Sequence, residues 1–155
     1  MNFLKSNRHL IFRACCVALF LFAFGWRAQS AAIADEVDFL LPLEKWVAGA
    51  PNVQGLWHSP LYPWLIMILG KFFGLTPCVV LSIGAFSVLG AAVFVADAFR
   101  RVNPDRVLVS LVFALTLFSP ACFCASLLAD YDTALLIFAS ALYFWAICIF
   151  PNQVS

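Results

Sequence analysis

The sequence predicts an all-α fold: a multi-pass membrane helix bundle of about four transmembrane helices, with an outer loop containing amphipathic and partly immersed helices. Three observations lead there. The composition is 65% hydrophobic and 11% charged, where soluble domains carry roughly one-quarter charged residues. Apolar runs at 10–28, 78–99, 107–125 and 133–150 each approach the ~20 residues that cross a hydrocarbon core. The basic residues gather at alternate ends of those runs, as a membrane topology requires. Residues 1–155 read as a single membrane domain.

The chain opens on a polar, basic segment with Lys5 and Arg8, followed by Arg13. The apolar run 10–28 supports two readings. It is a retained first helix, with Arg13 snorkelling to the headgroups, or it is the core of a cleaved signal peptide. The small residues of Ala28-Gln29-Ser30-Ala31-Ala32 suit a cleavage site.

Residues 33–75 form the outer loop and contain Asp35, Glu36, Asp38 and Glu44. From Asp35 to Gly49 the spacing is helical. Val37, Leu40, Leu41 and Val47 gather on one side, with Asp35, Asp38 and Lys45 on the other, the pattern of a helix lying in the interface. Pro42 kinks that helix or starts a second short one. Gly49 to Gly55 is a loop by composition. Ser59-Pro60 then opens a helix from Leu61 to Phe73, apolar around its circumference except at Lys71. At 1.5 Å per residue it spans roughly 20 Å, short of the ~30 Å core. Gly74 and Pro77 separate it from the next apolar run, so it is expected to dip in without crossing.

The next crossing, 78–99, carries Gly84, Ser87 and Ala91 as a small-residue face for close helix packing. Asp97 precedes Arg100-Arg101 and reads as a neutralised end charge. Asn103-Pro104-Asp105-Arg106 is a tight polar turn. The run 107–125 returns with Pro120 inside it, which membrane helices tolerate. Asp130-Tyr131-Asp132 interrupts before the last crossing, 133–150.

Lys5, Arg8 and Arg13 flank one end of the first run, and Arg100, Arg101 and Arg106 fill the loop after the second. The positive-inside rule puts both groups in the cytoplasm. Four crossings satisfy it, with both termini cytoplasmic in a plasma (inner) membrane. Six of the eight acids then share the outer face. Lys and Arg total nine against eight acids, so net charge carries no signal for an anionic partner. No nucleic acid is expected as a partner, and membrane lipid is. The six cysteines fall in or beside apolar runs with no CxxC pair and read as small buried hydrophobes rather than metal ligands or disulfides.

A basic start, one helix, an outer Asp35-Glu36 pair, an amphipathic helix, then His58-Ser59-Pro60-Leu61-Tyr62-Pro63 feeding a short helix that ends Lys71-Phe72-Phe73-Gly74: this order resembles GT-C type membrane glycosyltransferases. It is nearest to their mannosyl-, arabinosyl- and galacturonosyltransferase-like branch. The resemblance covers nearly the whole chain but only the amino-terminal part of such an enzyme. It implies a polyprenyl-phosphate sugar donor and an extracytoplasmic glycan or lipid acceptor.

The resemblance makes Asp35 the general base on the acceptor hydroxyl, help typically worth 10²–10⁴-fold, with Glu36 as its tuning neighbour. The plainer role for both is a helix start, where the dipole favours acids. His58 and Tyr62 meet a lipid phosphate or the acceptor, or serve as aromatic-belt anchors. Asp130 and Asp132 match the place where the family often carries a further acid, near the donor phosphate or a metal, although Asp132 before Thr133 also suits a helix cap. Lys71 pairs with phosphate or snorkels. Pro42 interrupts a helix that runs unbroken in the family, which affects the aim of Asp35. Complete relatives carry several more crossings, so the resemblance implies a truncated or split member that works with a completing membrane subunit. The rival function is a small non-catalytic multi-pass protein serving as an assembly or interaction subunit. A transporter-like bundle fits less well, because no charge sits mid-helix to mark a substrate path.

Overall fold

A computed structural model describes residues 7–29, 61–74, 76–127 and 131–150, with the side chains of 61–63 and 131–132 outside that set. Among the described residues the fold is all-helical. The elements are α1 (Arg8–Ala28), α2 (Leu61–Phe73), α3 (Pro77–Val102), α4 (Arg106–Leu117), α5 (Pro120–Leu127) and α6 (Tyr131–Ile149). By length and composition α1 and α3 can each cross a membrane, and the bent pair α4–α5 makes a third if counted as one span. The apolar part of α6, Thr133–Ile149, is too short to join them on that measure. The amphipathic helix expected over 35–49 lies outside the described residues.

Helix boundaries follow local chemistry. α2 ends at Gly74, whose φ of 78° suits glycine as the residue after a helix. Thr76 then caps α3, its Oγ1 accepting from the Val79 amide at 3.3 Å, with Pro77 in the first turn. α4 starts on Asp105, whose carboxylate accepts from the amides of Val107 at 2.8 Å and Leu108 at 3.4 Å. Asn103 Oδ1 braces that turn by accepting from the Asp105 amide at 3.0 Å.

The expected continuous span over 107–125 is broken. α4 and α5 meet at a bend of 50°, with Phe118 and Ser119 between them. Pro120 has no N–H for the Thr116 carbonyl, and its ring crowds that carbonyl. Ser119 answers both ends of the break. Its hydroxyl donates to the Thr116 carbonyl at 3.2 Å and accepts from the Cys122 amide at 3.3 Å. A second boundary also differs: α6 begins at Tyr131, so Asp132 sits inside the first turn rather than at a cap before Thr133.

α3 is the central helix and touches each of the other five. Its small residues make this possible. Gly84, Ser87 and Ala91 are buried, as are Ala85, Val88, Ala92 and Ala96. A Cβ on Gly84 would lie 3.1 Å from the Ala125 carbonyl oxygen, and one on Gly90 would lie 2.8 Å from the Phe138 ring. The core gathers Cys16 and Phe20 from α1, Val88, Ala92 and Ala96 from α3, and Val109, Phe113 and Leu117 from α4.

Contacts fix the directions. Gly90 meets Phe138 and Asp97 meets Trp145, so α3 and α6 run parallel. Arg13 meets Ser110 and Phe20 meets Phe123, so α1 runs parallel to α4–α5. The outward faces carry Leu19, Phe22, Phe86, Leu115, Leu136 and Tyr143, all exposed. Apolar surface on this scale is a liability in water and the ordinary exterior of a helix bundle in lipid. All six cysteines are unpaired.

Candidate functional site

Among the described residues a concavity sits at the end of the bundle where α3 and α6 begin. α2 leans there against α3 and α6 and leaves an open apolar groove of about 560 Å³, within the size range of small-molecule sites. Its walls are Leu65, Leu69 and Phe73 from α2, Val79, Ile83 and Phe86 from α3, and Leu135 and Phe138 from α6. Leu65, Leu69 and Phe73 recur every four residues, one stripe of a helix. Polar atoms in the walls are few. Ser82 donates to the Val79 carbonyl at 2.6 Å, and Ser87 is buried. Walls of this composition suit a chain of methylenes better than a sugar.

Of the residues singled out from sequence, Asp35, Glu36, His58 and Asp130 lie outside the described residues. Tyr62 lies in the first turn of α2 and Asp132 in the first turn of α6; their side chains are outside the described set. Lys71 is described. It is exposed, stands in the last turn of α2, and lies on the side away from the Leu65–Leu69–Phe73 stripe. It is not among the groove's lining residues. Among the described residues no three His, Cys, Asp or Glu side chains group as a metal site.

The opposite end holds a polar cluster that sequence patterning shows only in part. Asp97 pairs with Arg100 at 2.6 Å and Arg101 at 3.4 Å, the expected neutralisation. It also accepts from Trp145 Nε1 at 3.0 Å, across 48 positions of sequence. Arg13 Nε donates to Ser110 Oγ at 3.0 Å, and its guanidinium lies 5.9 Å from the Phe113 ring centroid. Arg13, Asp97 and Arg100 line a cleft of about 210 Å³. The only signal in the sequence for these pairings is that each residue is polar or amphipathic within or near the end of an apolar run.

No family model, curated protein or solved structure matches the chain. Its function therefore rests on the groove and on the two chemically distinct ends of the bundle.

Proposed function

We propose that the chain is a GT-C type membrane glycosyltransferase, transferring a sugar from a polyprenyl-phosphate donor to an extracytoplasmic glycan or lipid acceptor, with a completing membrane subunit. The observation that carries this reading is the apolar groove between α2, α3 and α6. A polyprenyl chain needs an apolar track that opens from the bilayer. Five of the eight acids belong to segments that join, along the chain, helix ends on the groove's side of the bundle, and Asp132 stands in the first turn of α6 there.

In this reading α1, α3, the bent pair α4–α5 and α6 are four crossings, and α2 is partly immersed. The 19 residues of α6 span about 28 Å, near the hydrocarbon thickness. Arg8, Arg13, Arg100, Arg101 and Arg106 share one end of the bundle, against Arg27 and Lys71 at the other. That bias supports cytoplasmic termini in a plasma (inner) membrane. The groove then lies at the outer leaflet.

The chemistry assigned to the site is a single displacement. Asp35 takes the proton of the acceptor hydroxyl while that oxygen attacks the anomeric carbon from the face opposite the lipid phosphate. The carbon–oxygen bond to phosphate breaks, and polyprenyl phosphate leaves with the electron pair. Glu36 tunes Asp35. His58, Tyr62, Asp130 and Asp132 border the donor phosphate and the acceptor, with Lys71 at the interface nearby.

The test is Asp35→Asn in membranes supplied with a polyprenyl-phosphate sugar and the completing subunit. The amide keeps size and helix-start ability but cannot take a proton, so turnover should fall by about 10²–10⁴-fold with abundance unchanged. Glu36→Gln should be milder. Turnover near wild type in Asp35→Asn removes Asp35 as base. Absence of transfer in the wild-type assembly leaves the assembly-subunit reading in its place.

A further inference from the structure

The basic end of the bundle carries a cleft that the glycosyl-transfer reading does not use. Arg8, His9, Phe12, Val107, Ser110 and Leu111 enclose about 240 Å³ between the first turns of α1 and α4. These helices run parallel and are tied by the Arg13–Ser110 hydrogen bond, so both N-termini arrive at the same place. Each helix begins with an arginine, Arg8 and Arg106, and neither has an acid in its first turn. A helix N-terminus already carries about half a positive charge and disfavours cations. Asp105 offsets the end of α4, but among the described residues no acid offsets the end of α1 or pairs with Arg8 or Arg106.

The nearby acids are already committed. Asp105 accepts from the Val107 and Leu108 amides. Asp97 is held by Arg100, Arg101 and Trp145. Among the described residues no ion pair reaches Arg8, Arg13 or Arg106. The cleft wall below the charges is apolar, and Phe12, Val107 and Leu111 are also exposed along the outer faces of α1 and α4. A free phosphate gains nothing from that apolar surface, whereas an acyl chain does. Basic pockets between transmembrane helices at the cytoplasmic surface suit anionic lipid headgroups.

We propose that this cleft binds an anionic phospholipid, its phosphate held at Arg8 and His9 beside Arg106 and its first acyl carbons lying on Phe12, Val107 and Leu111. The site is independent of glycosyl transfer and holds whether or not Asp35 is a base.

The experiment is native mass spectrometry of the full chain in detergent, with phosphatidylglycerol or phosphatidylcholine of identical acyl chains added. Wild type should retain phosphatidylglycerol preferentially. Each basic residue at an anionic lipid surface contributes about fivefold, so Arg8→Gln with Arg106→Gln should lower its retention by about tenfold or more. Val107→Trp fills the cleft with charge unchanged and should lower retention as well. Thermal melts of each variant show that the fold persists. Equal retention of the two lipids by wild type overturns the proposal, as does undiminished phosphatidylglycerol binding in the folded double variant. Displacement of the lipid by millimolar inorganic phosphate alone also overturns it, assigning the cleft to a free anion.

Discussion

At the scale of single residues, two hydrogen-bonding side chains hold more than their surroundings suggest. Trp145 donates its indole N–H to Asp97, the same carboxylate that neutralises Arg100 and Arg101. Trp145→Phe removes one charge-assisted hydrogen bond and should cost about 1.5–3 kcal/mol. Asp97→Ala should cost at least as much, because it leaves the Trp145 N–H and two guanidinium groups without their acceptor. The double variant should be less destabilised than the sum, and thermal unfolding in detergent measures the difference. Ser119 is the second case. Ser119→Ala should cost about 1–3 kcal/mol, since both the Thr116 carbonyl and the Cys122 amide lose their partner where water is scarce.

At the scale of helices, the break at Pro120 and the small face of α3 decide how the bundle closes. Pro120→Ala restores an N–H to the Thr116 carbonyl, so the 50° bend should relax. The cost of Ser119→Ala should shrink in that background. Spin labels on α4 and α5 would report the angle, and an unchanged distance would mean that tertiary packing, not proline, holds the bend. Gly84 faces the α5 backbone, with the Ala125 oxygen 3.1 Å from a would-be Cβ. Gly84→Val should therefore destabilise by about 1–3 kcal/mol. Gly90 faces the Phe138 ring instead, a side chain that can turn. Gly90→Ala should cost less, and Phe138→Leu should relieve part of the cost. Matching losses at both glycines, read from the same melts, would show that a close backbone approach does not distinguish them.

At the scale of the whole molecule, the described residues place the apolar groove at one end of the bundle and Arg8, Arg13, Arg100, Arg101 and Arg106 at the other. A cysteine at position 50 should label from outside and one at position 103 from inside, in a background with the six native cysteines replaced. Labelling of both from one side refutes the four-crossing topology.

Much of this arrangement was legible in the chain because it is local. Gly74, Thr76-Pro77 and Asp105 end and start helices through their own backbone geometry and side-chain reach, and long apolar runs declare their medium by composition. The all-helical class and the small face of α3 come from the same kind of short-range rule. The bend at Ser119-Pro120 was legible as a proline but not as an angle, because a missing backbone hydrogen bond permits a bend without fixing its size. The cross-helix pairs Asp97–Trp145 and Arg13–Ser110, the groove under α2 and the cleft between α1 and α4 belong to the tertiary structure alone. Sequence spacing sets which face of a helix a residue occupies, but not how deep each helix sits beside its neighbour or how far it is rotated. Those two quantities come from fitting large side chains such as Phe138 against glycines such as Gly90, and only the packed bundle settles them.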